Sequence, residues 1–322
     1  MSISYRTLGK SGLRVSTIGL GCNNFGRPGT FTEGPEGTAQ VLGAALDAGI
    51  NLLDTADIYG YSFGRSEEFM GEALKGRRDE VVLATKFGHA DYDSPITSWG
   101  AKASRRYVRQ AVEGSLRRLQ TDWIDLYQLH TPDPFTPIEE TLDVLDDLIT
   151  EGKVRYIGHS NLAGWQIAEA EFAAQIGGHP HFVSAQNEYS LLARGVENEV
   201  LPAVNAFGLG FLPYFPLYNG LFTGKFSRAG GPSDSRIMRQ RPHLLENAPW
   251  DAMEEYAALV DSWGVTMLEA TFGWLLAQPG LASVIAGATT PDQICQNAAA
   301  AMAFTPTDDQ AEQISQIFTD PR

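Results

Sequence analysis

The sequence predicts an α/β fold, a (β/α)8 TIM barrel with an N-terminal β-hairpin and a C-terminal extra helix, as one domain over residues 1–322. Two observations predict it. Short β-rich runs alternate with longer helical patterns nearly from end to end, and eight such runs can be counted. A length of 322 residues fits one large barrel about as well as two ordinary domains and does not choose between them. The rival, a doubly wound sheet, would carry Gly-x-Gly-x-x-Gly between its first strand and helix. Here "GLGCNNFGRPG" offers Gly19 and Gly21, but Gly26 comes too late to complete the fingerprint.

The chain opens with "YRTLGKSGLRV", which reads as a hairpin turning at Lys10-Ser11-Gly12 and is expected to plug the bottom of the barrel. The eight strand-like runs follow at 15–21, 50–56, 80–88, 123–130, 154–161, 182–189, 210–217 and 282–288. Helical patterns fill 36–48, 66–75, 104–119, 137–151, 164–175, 197–207 and 251–277, the last in two pieces broken near Gly264. Gly49, Gly76 and Gly152 stand where C-cap glycines are expected, and Thr136-Pro137 reads as a cap residue followed by an N1 proline. The stretch 217–249 shows neither strand nor clear helix, and a final helix follows Thr305. Long ordered loops in compact domains tend to be functional.

A formal net charge of −15 argues against nucleic-acid or membrane-surface binding, both of which need a basic face. The expected partner is a small molecule. The start "MSISYRTLGKSG" lacks the apolar core of a signal peptide and no apolar run is long enough to span a bilayer, so a cytoplasmic location is expected. Cys22 and Cys295 have no redox or metal spacing. His179 and His181 bracket a proline ahead of the sixth barrel strand, at the face opposite the expected site, and no metal is predicted.

Barrel enzymes work at the C-terminal ends of their strands. Seven polar groups fall there: Asp54, Tyr59, Lys86, His130, Ser160, Asn161 and Gln186. A phenol titrates near 10, so proton transfer at neutral pH calls for a cation that stabilises the phenolate. Lys86 is the candidate cation and Asp54 its counter-charge, with His130 placed to hydrogen-bond the phenol or a substrate oxygen. The set holds a proton donor but neither a serine elbow nor an activated cysteine. That combination points to hydride transfer, in which a cofactor supplies the reducing equivalent.

The motifs "DTADIYG", "LATKFG", "DLYQLHTPDP", "IGHSN", "QNEYSLL", "PYFPLYNGLFTGKF" and "VIAGATTPDQICQNAAA", in this order from about Leu8 to Phe318, resemble the aldo-keto reductase superfamily. "YGYSFGRSEEFMGEALKGRRDEVVLATKFG" is most similar to its bacterial sugar- and xenobiotic-reducing branches. The resemblance implies reduction of aldehydes or ketones with NADPH, NADH being possible, and a catalytic tetrad of Asp54, Tyr59, Lys86 and His130. Tyr59 would be the general acid. Ser160, Asn161 and Gln186 match positions that hold the nicotinamide amide, and Tyr214 matches the ring that stacks on it. Gly21, Cys22 and Asn23 at the first strand end, then Phe215, Pro216, Leu217, Asn219, Gly220, Lys225 and Arg236, fall at cofactor-contacting positions, as do Gly287, Gln293 and Asn297. The carbonyl pocket is expected to draw on Asn24, Phe25, Trp99 and Asp133.

Two departures bear on the cofactor. Phe215 stands where many relatives carry a serine, and Gly287 and Gln293 stand where the best-known ones place a lysine and an arginine on the adenosine 2'-phosphate. The stretch 225–241, with Lys225, Arg228, Arg236, Arg239 and Arg241 against Asp234 alone, is the expected compensating lid over cofactor phosphates. Competing functions are a sugar dehydrogenase running the same chemistry oxidatively, a cofactor-binding regulatory protein with little turnover, and a Schiff-base enzyme using Lys86.

Overall fold

A computed structural model describes residues 3–233 and 235–319. Asp234, the acid counted within the basic stretch, lies outside the described residues, as do the ends of both termini.

The chain begins with β1 (Tyr5–Thr7) and β2 (Arg14–Ser16), an antiparallel pair with Tyr5 opposite Ser16. Eight parallel strands follow: β3 (Ile18–Gly21), β4 (Leu52–Asp54), β5 (Val82–Phe87), β6 (Ile124–Leu129), β7 (Val154–Ser160), β8 (Ser184–Gln186), β9 (Gly210–Phe211) and β10 (Val284–Gly287). They are hydrogen-bonded in the order β10-β3-β4-β5-β6-β7-β8-β9. Phe211 joins the two ends of this sheet: its N–H donates to Gly280 O at 2.8 Å and its carbonyl accepts from Ala282 N at 2.9 Å. Hence the sheet closes into the expected barrel.

The helices α1 (Pro35–Asp47), α2 (Arg65–Ala73), α3 (Arg105–Leu119), α4 (Ile138–Thr150), α5 (Gly164–Gly177) and α6 (Val200–Phe207) alternate with the strands. Each packs a stripe against the sheet; on α3 the buried set Tyr107, Val108, Ala111, Val112, Ser115, Leu116 and Leu119 follows the helical repeat. After β9 come two short helices, α7 (Arg236–Gln240) and α8 (Pro242–Glu246), then α9 (Trp250–Ser262) and α10 (Met267–Leu276). α11 (Pro291–Ala303) and α12 (Asp308–Ile317) complete the chain.

Alternation along the strands divides the lumen into an apolar floor and a polar rim. Leu52, Val82, Ala84, Leu126 and Leu212 cluster with Ile285 inside the barrel, and Leu8 and Val15 of the hairpin join that cluster. The hairpin is therefore the floor's plug, and burying each such side chain contributes about 2 kcal/mol. Gly9 makes the approach possible: it sits at φ +56°, and a Cβ there would lie 2.5 Å from Val183 O.

Several expected boundaries move. The run 15–21 is two strands, because Arg14–Ser16 turns to pair with β1 before Ile18–Gly21 enters the barrel. Thr136 does not cap α4: Pro137 is the N-cap residue, and the Thr136 hydroxyl instead donates to Asp133 at 2.8 Å. The eighth helix of the barrel, α11, was not expected from periodicity, because "NAAAAMA" gives little polar contrast. Its start was legible in Thr290-Pro291, where the threonine oxygen accepts from Gln293 N and proline occupies the first turn. Similarly, 217–249 contains the short helices α7 and α8 and a 3-10 segment at Tyr218–Thr223.

Candidate active site

Parallel pairing carries the polar alternation of one strand to the next. Register pairs Asp54 with Ala84, Lys86 with Gln128, Gln128 with Gly158 and Ser160 with Gln186, so the polar positions step two residues forward from β4 to β5 and again from β6 to β7, the stagger expected of tilted barrel strands. At the centre Lys86 is fully buried. Its ammonium donates to Asp54 Oδ1 at 2.8 Å, to Oδ2 at 2.7 Å and to the Thr55 carbonyl at 2.9 Å, with the Tyr59 hydroxyl as a further polar neighbour. The carboxylate also accepts from Gln186 Nε2 at 3.0 Å and Gln128 Nε2 at 3.3 Å. A buried ion pair persists only when its remaining lone pairs are satisfied, and the two amides do that here. Gln128 was not among the expected site residues. Its signal was a polar residue inside the buried run "LYQLH", two positions before His130 and so on the same face.

Tyr59 is half-buried at the rim, with the Lys86 ammonium 5.0 Å from its ring centroid. The phenol pKa lies above its ordinary value: desolvation by the packed surroundings raises it, Asp54 adds to this, and Lys86 opposes without prevailing. Burial lowers the Lys86 pKa more than any other single effect, yet Asp54 and Tyr59 together outweigh it and the net shift is upward. His130 packs edge-on to Tyr59 with centroids 5.7 Å apart. Burial first, then the charges of Lys86 and His89, push its pKa well below the usual value, so the imidazole is neutral. Its Nδ1 is buried without a hydrogen-bond partner among the described residues.

Behind the rim, His159 on β7 is fully buried against Phe182, with neither ring nitrogen partnered, and burial pushes its pKa down to about 3. The unfolded chain would bind a proton near pH 6.5 that the folded chain refuses until about pH 3, so this residue costs stability as pH falls through that window. Comparing urea unfolding of the wild type and His159→Leu between pH 6 and 4 should show a slope smaller by about 1.4 kcal/mol per pH unit in the variant. Equal slopes would mean that His159 is protonated within the fold.

Ser160, Asn161 and Tyr214 form a chain beside the rim. The Ser160 hydroxyl donates to Gln186 O at 2.8 Å, Asn161 Nδ2 donates to His130 O and Ser160 Oγ, both at 3.0 Å, and Tyr214 OH donates to Asn161 Oδ1 at 2.9 Å. Asn161 takes φ 62° to do this. Beyond Tyr214 the backbone stays unusual, with Phe215, Tyr218 and Asn219 at positive φ and Gly220 at φ 102°. Gly21 and Gly287 are paired across β3 and β10, and Gln293 Oε1 accepts from Thr289 N at 2.8 Å. Asn297 is buried nearby on α11. Asn219 Oδ1 and Arg236 Nε are buried without partners among the described residues. Unpaired polar atoms on a segment of positive-φ backbone fit an extended polar ligand such as a dinucleotide.

The remaining expected site residues lie as follows. Trp99 is 82% exposed, with the Arg106 guanidinium 4.7 Å from its ring centroid. Phe25 is fully buried in the core. Asp133 is a loop organiser, accepting from Ala103 N, Phe135 N and the Thr136 hydroxyl. The Cys22 thiol is buried with its pKa pushed well up, chiefly by desolvation and then by the Asp54 charge, and the Cys22 N–H donates to the Asp54 carbonyl. Asn24 is buried beside the Gly21–Gly287 pair, whereas Asn23 is half-buried. In the basic stretch, Lys225 is exposed, while Arg228 pairs with Asp251 and Glu254 of α9. Among the described residues, no three His, Cys, Asp or Glu side chains converge as metal ligands, and no helix is long and apolar enough to cross a membrane.

A closed parallel barrel with a buried lysine–carboxylate pair, a phenol and a neutral imidazole at one rim defines a barrel protein equipped for proton transfer. The chain belongs to the aldo/keto reductase family, whose profile it matches over residues 17–318. Members of this family are oxidoreductases that use NAD(P)H in general. The uncharacterized oxidoreductase YrpG of Bacillus subtilis (strain 168) is 38% identical over 303 residues, covering 91% of this chain and 89% of the relative. A probable voltage-gated potassium channel subunit beta of Oryza sativa subsp. japonica is 34% identical over 308 residues, 92% and 90% of the two chains. An NADH-specific methylglyoxal reductase of Escherichia coli (strain K12) is 34% identical over 311 residues, 91% and 92% of the two.

Proposed function

We propose that residues 1–322 form one NAD(P)H-binding domain that reduces small aldehydes or ketones to alcohols, with Tyr59 as proton donor. The observation that carries this is the Lys86–Asp54 pair buried against Tyr59 and His130. The cofactor, when bound, supplies the hydride. Tyr59 stays protonated through the neutral range because its pKa is raised, so the donor is loaded before the carbonyl arrives. As the proton leaves, the Lys86 ammonium stabilises the phenolate, and Asp54, held by Gln128 and Gln186, keeps the ammonium in place. Neutral His130 offers one ring N–H to the carbonyl oxygen and orients it.

Ser160, Asn161, Gln186 and Tyr214 would hold the nicotinamide end, the segment from Phe215 to Gly220 with Lys225 the phosphates, and Gly287, Gln293 and Asn297 the adenosine. NADPH is the preferred cofactor in this reading, with Lys225 supplying charge that Gly287 and Gln293 lack. Fluorescence titration should give tighter binding of NADPH than of NADH, followed by loss of absorbance at 340 nm when aldehydes or dicarbonyls are added. Equal or reversed affinities would place this chain with the relative named as NADH-specific. Failure to bind either nucleotide would overturn the reductase reading.

A second reading, a cofactor-binding regulatory protein with little turnover, is favoured by the relative named as a channel subunit and by exposed Trp165, Phe172 and Ile176 along α5. Tight nucleotide binding with background turnover on every carbonyl tried would select it.

A further inference from the structure

The loop after β5 lies against the candidate site and is closed by a single ammonium. Lys102, half-buried near the end of that loop, donates from Nζ to the carbonyls of His89 at 2.8 Å, Ala90 at 2.9 Å and Tyr92 at 2.7 Å. Three carbonyl dipoles of one turn repel when they converge, and a compact ammonium with three donors is the side chain suited to gather them. Among the described residues no carboxylate lies within 4.0 Å of its nitrogen. Asp57, buried and with neither carboxylate oxygen partnered among the described residues, feels the charge of Lys102 without bonding to it. The ammonium therefore serves the loop.

A second clamp holds the same turn from the neighbouring strand. The Ala90 N–H donates to Thr131 Oγ1 at 2.9 Å, and that hydroxyl donates to Gly88 O at 3.1 Å. Thr131 follows His130, whose own N–H is bonded to Phe87 O at 2.8 Å, so the loop and the imidazole are anchored at the same pair of strand ends. Gly88 permits the fit: it takes φ +78°, and a Cβ there would lie 2.8 Å from Lys102 O. What the two clamps fix is His89. Its Nδ1 accepts from Asp91 N at 3.2 Å, Tyr92 packs on it at 4.7 Å, and it packs edge-on to His130 with centroids 4.5 Å apart. His130 Nδ1 has no hydrogen-bond partner among the described residues, so no bond at that nitrogen sets the angle of the ring. Packing against His89 and Tyr59 sets it instead. Resting on the carbonyl-reductase reading above, we propose that Lys102 is a positioning residue: by gathering the His89, Ala90 and Tyr92 carbonyls it holds His89 against His130, and so aims the imidazole that orients the substrate carbonyl.

The test is a double-mutant cycle read as steady-state reduction of pyridine-3-carbaldehyde and of phenylglyoxal. Lys102→Met keeps the length of the side chain and removes its donors. It should lower kcat about ten-fold while KM and NADPH affinity stay within about three-fold, because a misaimed imidazole weakens the transition state rather than binding. Thr131→Val, which removes only the second clamp, should lower kcat about three-fold. In a His89→Ala background, where the ring being held is gone, adding Lys102→Met should cost less than about two-fold further. Equal losses in the two backgrounds would overturn the proposal, since Lys102 would then act other than through His89. So would an unchanged kcat in Lys102→Met, or a loss confined to KM, which would make the loop a wall of the pocket. Should Lys102→Met fail to fold, Thr131→Val with and without His89→Ala decides by the same rule. Hydrogen exchange of the peptide spanning 88–93 stands apart from turnover: it should quicken in Lys102→Met, and equal exchange would overturn the clamp itself. If the wild type reduces neither compound, the reductase reading fails and the positioning role falls with it, whereas quickened exchange would still show that Lys102 holds the loop.

Discussion

Tyr59→Phe is expected to lower kcat/KM for aldehyde reduction about a thousand-fold, the size of a lost general acid, while nucleotide affinity stays within about two-fold. The ring survives in the variant, so its contacts with His130 and with the Lys86 ammonium survive too, and only the dissociable proton is removed. Initial rates over a series of aldehyde concentrations and a parallel fluorescence titration separate the two quantities. A drop smaller than ten-fold would show that another group delivers the proton. The raised phenol pKa adds a pH signature. Reduction by the wild type should stay level through the neutral range and decline only above pH 10, as the phenol loses its proton. A decline centred on neutral pH would point to a histidine as the donor instead.

The second large effect is on stability. Lys86→Met leaves the Asp54 carboxylate 3% exposed and without its cation, with the Gln128 and Gln186 amides as its remaining side-chain donors. Removing one partner of a buried pair typically costs about 3–5 kcal/mol, because the other charge stays desolvated. Urea unfolding of Lys86→Met should therefore show a loss of that order. Adding Asp54→Asn to it should recover at least half, since the uncompensated charge is gone and an amide can still hydrogen-bond both glutamines. Both variants should be inactive, so the recovery isolates electrostatics from catalysis. A Lys86→Met variant as stable as the wild type would mean that Asp54 takes up a proton or that water reaches it.

Much of the fold and of the candidate site was legible in local sequence. Strand alternation is a period-two property, and it placed Asp54, Lys86, His130, Ser160 and Gln186 at strand ends before any pairing was known. The hairpin turn, the break between α9 and α10 near Gly264, and the acid–phenol spacing in "DTADIYG" are equally local. Helix α11 was missed although its Thr290-Pro291 start was present, because its alanine run has no polar face to set a period.

What only the tertiary structure decided are the matters that depend on distant neighbours. Gln128 reaches Asp54 from two strands away, across residues separated by 74 positions, so no window of sequence could pair them. The direction of the Tyr59 shift is a contest between desolvation and the Lys86 charge, and desolvation is set by every element packed around the rim. Trp99 and Phe25 were placed in the pocket by proximity along the chain, yet loop conformation turned one outward and packed the other inside. Arg239 reaches the Gly29 carbonyl, and Arg27 feels the charge of Arg241, only because barrel closure brings the loop after β3 beside the segment after β9. By itself the sequence determined the period of the barrel and the chemical types at its rim, because both follow from backbone geometry. Closure of the barrel decided which of those groups touch, and with what charge, because burial and electrostatics sum over the whole chain.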